Sequence, residues 1–569
     1  MKNPTPLSTA SSLPAGWRVK PPAPAEYVAA ASPSTLIAQL LYNRGVSLAD
    51  VPAFLNPESF RPGDPFAIPD VLAAVTRLNQ ARLRREVVGV FGDFDVDGVT
   101  ATAVLLEGLR GLGVKAIEYI PDRIGEGHGL SAEGVAWLRD HGASLVVTCD
   151  CGISDLAEAE KASKLGVDLI ITDHHMPLAT LPRAVAVVNA KRRDSRYGFT
   201  EFAGVGIAFK LMQALYQGWN DASRLDELLE LVALGTVADM VALVGENRRF
   251  VQKGLEVLNR TARPGLQALI AVSGLTPGAV TSGDISWALG PRINSAGRLD
   301  DASVSLKLLM TSSVDEAATL AQVLNDTNEE RQRLTAEVYD MVRTQLAAQP
   351  ESALLMAAGE SYPEGVIGLV AGRLSKEVYR PAVVVTTGEE LCRGSSRSIP
   401  EFDLAWALEQ CKDLLNSFGG HPLAAGFSVT RQNLPLLEQR LKALAEERLA
   451  GVEPGPRIDI DAEVTLKSLG GDAYRLTRTL EPFGQQNLEP CFLSRGVEVV
   501  ECRSLRNHEK WLSLRLRQQG ALWDAVDFRT LRGPEDVPRL IDVVYTLRTR
   551  QWQGKETLQA NVLDLAPSR

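Results

Sequence analysis

From residue 87 the sequence alternates short, continuous apolar runs with amphipathic segments. This alternation, more than any other feature, limits what the chain can fold into. The runs span 87–91, 116–120, 145–149, 167–171 and 184–188, and the segments between them include 98–112, 132–140 and 156–164. Runs that are apolar throughout, instead of at every second residue, belong to strands buried on both faces. With helices as connections, that implies a parallel α/β sheet. Helical segments at 204–219 and 224–238 follow.

The rest of the 569 residues calls for further units, because one hydrophobic core does not grow to that size. Residues 1–84 read as a lead-in, with an apolar segment at 36–42 and prolines at 52, 57, 62, 65 and 69. Residues 85–245 hold the parallel sheet. Residues 246–349 read as a helical linker, ending in a long charged helix over 314–346 that Pro350 stops. Residues 350–455 begin a second α/β unit, with strands at 353–357 and 382–386 around a helix at 366–377. Residues 456–569 show short β-rich runs at 463–466, 497–501, 512–516, 525–528, 542–547 and 557–563, the pattern of a small OB-like barrel. The fold class expected is therefore multidomain α/β. No apolar run reaches the ~18 residues that a membrane span needs. The Pro-, Ser- and Ala-rich start lacks the apolar core of a secretory signal. Six scattered cysteines without a CxxC pair suit a reducing cytoplasm. A monomer is expected.

Acidic residues fall where the strands end. The run 87–91 leads into Gly92-Asp93-Phe94-Asp95-Val96-Asp97-Gly98, the run 145–149 ends at Asp150, and the run 167–171 leads to Asp173-His174-His175. In an open parallel sheet the carboxyl ends of the strands form the ligand crevice. Three strands thus deliver five carboxylates and two imidazoles to one edge, and Asp239 follows the helical segment 224–238. Carboxylates crowded this way repel one another and resist ionisation unless a cation intervenes. Oxygen-rich ligation with one or two histidines suits two Mn2+ or Mg2+ ions better than a thiolate zinc site. A pair of such ions can hold both the attacking water and the leaving oxygen of a phosphate ester. An EF-hand is disfavoured, since Val104 stands where the bidentate glutamate belongs.

Guanidinium forks suit a terminal phosphate, and Arg123 in IPDRI, Arg292 in GPRIN and Arg397, with Ser395, in GSSRS are the candidates. His421 follows a glycine pair that lets a ligand approach the backbone. The net charge of −10 speaks against a nucleic acid only on average. Between Arg503 and Lys555 eleven Lys/Arg stand against six Asp/Glu, interleaved with Trp511, Trp523, Phe528, Tyr545 and Trp552. Alternation over 511–517 puts Ser513, Arg515 and Arg517 opposite the leucines. Arg515, Arg517 and Trp552 are therefore candidates for gripping a single strand.

The motifs GDFDVDGVTATA (92–103), TCDCGIS (148–154), ITDHH (171–175) and LGTVADMVAL (234–243) resemble the DHH phosphoesterase superfamily. IPDRIGEGHGL (120–130), FAGVGIAFKL (202–211), GPRINSAGRLDDA (290–302), NEERQ (328–332), GSSRSI (394–399), FGGHPLAAGF (418–427) and LEPFGQQN (480–487) extend the likeness, in order, to the RecJ family of single-strand-specific exonucleases. The resemblance implies a DHH domain, a DHHA1-type domain and an OB fold. It also implies 5′-to-3′ exonuclease activity on single-stranded DNA in repair and recombination. By position it makes Asp93, Asp95, Asp97, Asp150, His174 and Asp239 the metal residues, with Asp97 and Asp150 bridging. Asp173 would orient a ligand, and His175 would face the phosphate, so that Asp150, Asp173 and His175 are the catalytic residues. Spacing alone does not say which histidine is ligand and which is acid. Arg123, Arg292, Ser395 and Arg397 would form a 5′-phosphate pocket, and His421 would touch substrate. A single-strand-binding protein and a RecQ-type helicase are the partners the resemblance suggests. One departure is Pro363, which stands where the family commonly has histidine. The alternatives are a DHH phosphodiesterase for short oligonucleotides or cyclic dinucleotides, and a non-catalytic scaffold, which the complete set of expected ligands disfavours.

Overall fold

The computed structural model describes residues 14, 16–32, 34–123, 125–217, 223–299, 301–452, 455, 457–470, 472–505, 508–528, 533–552 and 555–568. They form two compact units, one of residues 64–239 and 254–456, the other of 1–63, 240–253 and 457–569. The expected lead-in, 1–84, is thus divided between the two. The expected linker, from Gly254 onward, shares a unit with the parallel sheet.

In the first unit a five-stranded parallel sheet runs in the order β2-β1-β3-β4-β5. Here β1 is Val87–Phe91, β2 Lys115–Tyr119, β3 Ala143–Cys149, β4 Asp168–Thr172 and β5 Ala186–Val188. The register pairs Phe91 with Thr148 and Cys149 with Thr172, so the strands finish side by side. Helix α1 (Val96–Gly111) is buried on almost every side, which its small residues permit. It begins two residues before the expected start at Gly98, because the Asp95 carboxylate caps it by accepting from the Gly98 N–H at 3.1 Å. Helices α2 (Gly204–Tyr216) and α3 (Ser223–Ala238) cover it. A β-carbon on Gly108 would lie 2.5 Å from Met212 Sδ, and one on Gly235 would collide with Thr100 Oγ1, so two glycines set how closely these helices approach.

The helical stretch continues through α4 (Gly290–Leu299) to the long helix α5 (Val314–Ala347), which Ser313 caps. Beyond it lie β6 (Leu355–Gly359), helix α6 (Glu364–Val378), β7 (Ala382–Thr387), β8 (Leu391–Arg397), β9 (Leu415–His421) and β10 (Ala424–Thr430). Their sheet has the order β9-β10-β8-β7-β6 and only β6 and β7 are parallel. The two expected strands are present. The last three escape a search for apolar runs because they are rich in Gly and Ser, and β9 is an exposed edge.

In the second unit β11 (Phe492–Leu505), β12 (His508–Gln518), β13 (Ala521–Asp527), β14 (Leu540–Trp552) and β15 (Lys555–Pro567) form a closed barrel. Its order is β11-β12-β13-β15-β14, and β14 returns to β11. Leu512, Leu514 and Leu516 point inward with Phe492 and Tyr545, while Arg515 and Arg517 are exposed, as the alternation requires. Ile37, Leu40 and Leu41, from the apolar segment near the N-terminus, share this core. Trp17 pairs in parallel register with Ile458 and donates to Asp564 at 2.8 Å. No helix among the described residues is long and apolar enough to cross a membrane, and all six cysteines are free thiols.

Arg263 ties the helices around α1 together. Its guanidinium bonds Glu107 at the end of α1, buried Glu230 on α3 (3.0 Å) and the Leu309 carbonyl (2.8 Å). Removing one member of a buried pair strands the other charge. Arg263→Met is expected to destabilise this unit by about 3 kcal/mol, read as a lowered denaturant midpoint at unchanged slope.

Candidate active site

The sheet places its acids at one edge. Asp93, Asp97, Asp150, Asp173 and His174 are buried, and Asp95, His175 and Asp239 are partly so. The turn after β1 is tight enough to require glycine, since a β-carbon on Gly98 would fall 2.6 Å from the Asp93 carbonyl oxygen. Asp150, at the end of β3, adopts φ +63, and a β-carbon on Gly204 would meet its carboxylate at 2.6 Å. The first N–H groups of α2 donate to Asp97, Gly204 N at 2.5 Å and Val205 N at 2.8 Å. A helix N-terminus therefore fixes this carboxylate.

His174 is oriented from behind. Its Nδ1 lies 2.9 Å from the Phe202 carbonyl, which only an Nδ1–H can satisfy, so Nε2 presents a lone pair to the acids. Nε2 is 3.1 Å from Asp150 Oδ1, 3.7 Å from Asp239 Oδ2 and 3.9 Å from Asp97 Oδ2. Burial pushes the His174 pKa down to about 3, so it brings no proton of its own to that contact. Asp93 Oδ1, Asp150 Oδ1 and His174 Nε2 are buried without a hydrogen-bond donor. Burial and mutual repulsion hold Asp97 up to about 7 and Asp239 up to about 9, with Asp95 and Asp150 also raised. Ligand atoms of Asp97, His174 and Asp239 lie within 4.8 Å of one another, as do those of Asp93, Asp95 and Asp150, and those of Asp150, His174 and His175. Orphaned lone pairs and strained carboxylates, all on hard oxygen and imidazole donors, fit two divalent cations.

Asp173 is different. It accepts from Ile153 N (2.9 Å), His174 N (2.7 Å), His175 N (3.0 Å) and His175 Nδ1 (2.8 Å). Burial alone would raise its pKa, but these donors bring it down to about 2. The His175 ring is held with Nε2 turned from Asp173. Its pKa is raised because the bond to Asp173 outweighs the burial that would lower it. His128, which the sequence reading did not single out, has Nδ1 3.1 Å from Asp93 Oδ2, and that bond lifts it to about 9. Its ring stands 5.6 Å from that of His175.

Beside the acids lies a group of arginines. Arg298 on α4 is driven down to about 9 by burial and by the charges of Arg123, Arg331 and Arg397, with Asp95 opposing. Arg123 sits 4.9 Å from the centre of the Phe94 ring and feels Asp93 and Asp95. Arg397 bonds the Ser396 carbonyl (2.8 Å) and Ser395 Oγ (3.4 Å), and Arg331 bonds Asn328 Oδ1 (2.9 Å). None of the four forms an ion pair among the described residues. Cations gathered without carboxylate partners make an anion site. Arg123, Ser395 and Arg397 are brought together as expected, but Arg292 is not. It bonds Asn325 (3.0 Å) and the Ala288 carbonyl (2.9 Å) on another face, because six positions of helix make about one and two-thirds turns and set Arg292 about 120° around the axis from Arg298. Arg298 and Arg331 were missed, although both stand in the motif stretches GPRINSAGRLDDA and NEERQ.

His421 is exposed on the edge strand β9, opposite Ala424. Pro363 precedes the first turn of α6. In the barrel unit Arg517 pairs with Glu498 (2.7 Å) and Arg515 approaches Asp524 (3.9 Å), so neither is an unopposed charge. Tyr545 belongs to the core, and Trp511 meets Phe528 edge-on at 5.1 Å. The side chain of Trp552 lies outside the described residues.

Carboxylates with raised pKa values keep protons near neutrality, and a cation must displace them. Mn2+ affinity of the whole chain, measured by calorimetry, is expected to fall between pH 8 and pH 6, by about tenfold per pH unit for each proton displaced. An affinity flat over that range contradicts the donor set.

Comparison with known proteins agrees with this geometry. Residues 87–236 match the DHH family, N-terminal domain, residues 351–447 the DHHA1 domain and residues 460–564 the RecJ OB domain. The chain is 34% identical to the single-stranded-DNA-specific exonuclease RecJ of Bacillus subtilis, over 94% of this chain and 68% of that protein. It is also 34% identical to that of Salmonella typhimurium, over 84% of this chain and 87% of that one. The crystal structure of RecJ in complex with Mn2+ from Thermus thermophilus superposes with a TM-score of 0.83 at 29% identity, covering 97% of this chain and 80% of that one. The DHH, DHHA1 and RecJ OB domains thus follow one another along a chain that matches these relatives over most of its length, and the chain belongs to the RecJ family of DHH phosphoesterases.

Proposed function

We propose that this chain is a metal-dependent exonuclease that removes nucleotides from the 5′ end of single-stranded DNA. One observation carries the reading: the buried acids lie beside four arginines that form no ion pair among the described residues. A terminal phosphate among the arginines places the next phosphodiester against the acids. Asp93, Asp95, Asp97, Asp150, His174 and Asp239 would hold two ions, Mn2+ or Mg2+, the ions of the Thermus relatives. Such ions polarise the phosphate and ready a water for in-line attack.

The remaining roles follow from the chain's own groups. Asp173 fixes the His175 ring through Nδ1, and His175 Nε2 delivers a proton to the leaving oxygen. Arg123, Arg298, Arg331 and Arg397, with Ser395, bind the terminal phosphate. His421, on an exposed strand, meets the substrate strand. We assign strand binding in the barrel to Arg515, Arg517 and Trp552, where DNA phosphates would compete with Glu498 and Asp524 for the two arginines. The division into a catalytic part (85–245), a substrate-binding part (350–455) and a strand-binding part (456–569) is part of the same reading. Six free thiols, five of them buried, support a cytoplasmic site of action. A single-strand-binding protein and a RecQ-type helicase are partners suggested by family membership.

Asp150→Ala is expected to abolish cleavage while leaving single-strand affinity, measured by anisotropy in EDTA, within a few-fold of the parent. Cleavage by the variant in a nuclease-free preparation contradicts the metal assignment. Polarity is tested with 5′- and 3′-labelled strands: label released first from the 5′ end supports the reading, and from the 3′ end refutes it. Arg298→Ala is expected to lose about tenfold or more in kcat/KM on 5′-phosphorylated strands, the size of a charge-assisted hydrogen bond. On 5′-hydroxyl strands it should lose much less. Equal losses on both would remove Arg298 from the phosphate pocket.

A further inference from the structure

Trp287 is 82% exposed, more than any other large hydrophobic side chain among the described residues. It has no hydrogen bond, ring contact or cation partner there. An indole left in water forgoes the burial that usually makes tryptophan worth its size, so a bare one marks a contact surface.

Its backbone is unusual as well. Residues Ile285–Leu289 form one π-helical turn leading into α4, and the Gly290 N–H donates to the Ile285 carbonyl five residues back. Only glycine fits there, because a β-carbon at position 290 would stand 2.9 Å from that carbonyl oxygen. Ile285 and Leu289 are buried, so the wide turn is anchored on its inner side and presents Ser286 and Trp287 outward. Such turns concentrate where a helix serves a site.

Helix α4 runs alongside the metal site in a fixed sense. A β-carbon on Gly290 would lie 3.7 Å from that of Ala238, the neighbour of Asp239. Asn294 Oδ1 accepts from Val96 N at 3.1 Å, between Asp95 and Asp97. Gly297 backs onto the Phe94 carbonyl, and Arg298 reaches the arginine group. Along this helix the order is therefore Trp287, the acids, then the arginines. Trp287 and Arg298 are eleven positions apart, roughly 15 Å of helix, with the acids between.

We propose that Trp287 is a base-stacking platform for the substrate strand, on the far side of the metal site from the terminal-phosphate pocket. The inference rests on the exonuclease reading above. A strand whose end lies among the arginines and whose next phosphodiester lies over the acids continues along α4 toward the indole. A base a few nucleotides from the end stacks there. Every base has a π face, so the contact adds grip without sequence preference.

The test uses the full chain and single-stranded oligonucleotides, with affinity read by anisotropy in EDTA and KM read in Mn2+. Trp287→Ala is expected to weaken binding and raise KM by about tenfold, and Trp287→Phe to keep most of the affinity. A series of strands, each with one abasic position counted from the 5′ phosphate, locates the stacked base. At one position the parent should lose the same factor as Trp287→Ala, and Trp287→Ala should lose nothing further. Unchanged affinity in Trp287→Ala, or losses that multiply at every abasic position, overturns the platform while leaving the exonuclease reading intact. A parent protein that neither binds nor cleaves single strands overturns that reading, and the platform with it. An unchanged thermal melt of the exposed-site variant separates loss of contact from loss of fold.

Discussion

Repulsion among buried carboxylates is the constraint on which the site depends. Asp93, Asp97 and Asp150 are withdrawn from water beside one another, and folding leaves Asp93 Oδ1 and Asp150 Oδ1 without a donor. Burial and mutual repulsion accordingly hold the pKa values of Asp97 and Asp150 above the usual carboxylate range. The α2 N-terminus satisfies Asp97, and His128 reaches Asp93, but Asp150 Oδ1 and His174 Nε2 face each other as two lone pairs. Scaffold features serve this arrangement: the glycine that lets the Asp93 turn close, the left-handed Asp150, and the carbonyl that fixes the His174 tautomer. Two divalent cations held by these residues would resolve the conflict and would supply positive charge to a phosphate ester.

The opposite imbalance lies next door. Burial lowers the pKa of all four arginines, neighbouring guanidinium charge adds to this at Arg298 and Arg397, and none has an ion-pair partner among the described residues, while Asp93 and Asp95 act on Arg123 and Asp95 on Arg298. A surplus of negative charge beside a surplus of positive charge would neutralise itself if the side chains could meet. The turns that hold the acids and the packing that holds the arginines keep them apart, so each remains available to ligand. Helix α4 is the spacer, touching the acid-bearing turn through Asn294 and Gly297 and carrying Arg298.

Much of this was legible in the sequence. The continuous apolar runs identified the parallel strands to within one or two residues, because strands buried on both faces tolerate few polar side chains. The acids at their ends identified a metal site, because no other use of so many carboxylates at one sheet edge is cheap. The alternation over 511–517 assigned the barrel's inner and outer faces correctly. The strands over 391–430 were less legible, since edge strands rich in Gly and Ser carry no apolar signature. The N-terminal residues gave no sign that they complete the barrel core. Ile37, Leu40 and Leu41 meet Leu512 and Leu514 across more than four hundred residues of chain, and local pattern does not encode a partner at that separation.

The sequence by itself determined the chemistry: which residue types reach the crevice, and hence oxygen-rich metal ligation and phosphoester hydrolysis. Only the tertiary structure decided which cations face it. Arg292 and Arg298 stand six residues apart in one motif and look equally suited to a phosphate, yet one bonds Asn325 and the other joins Arg123, Arg331 and Arg397. His128 reached Asp93, and Trp287 stayed in solvent, for the same kind of reason. The direction of a side chain on a helix or loop is set by what packs against the backbone beneath it, and that packing comes from distant segments.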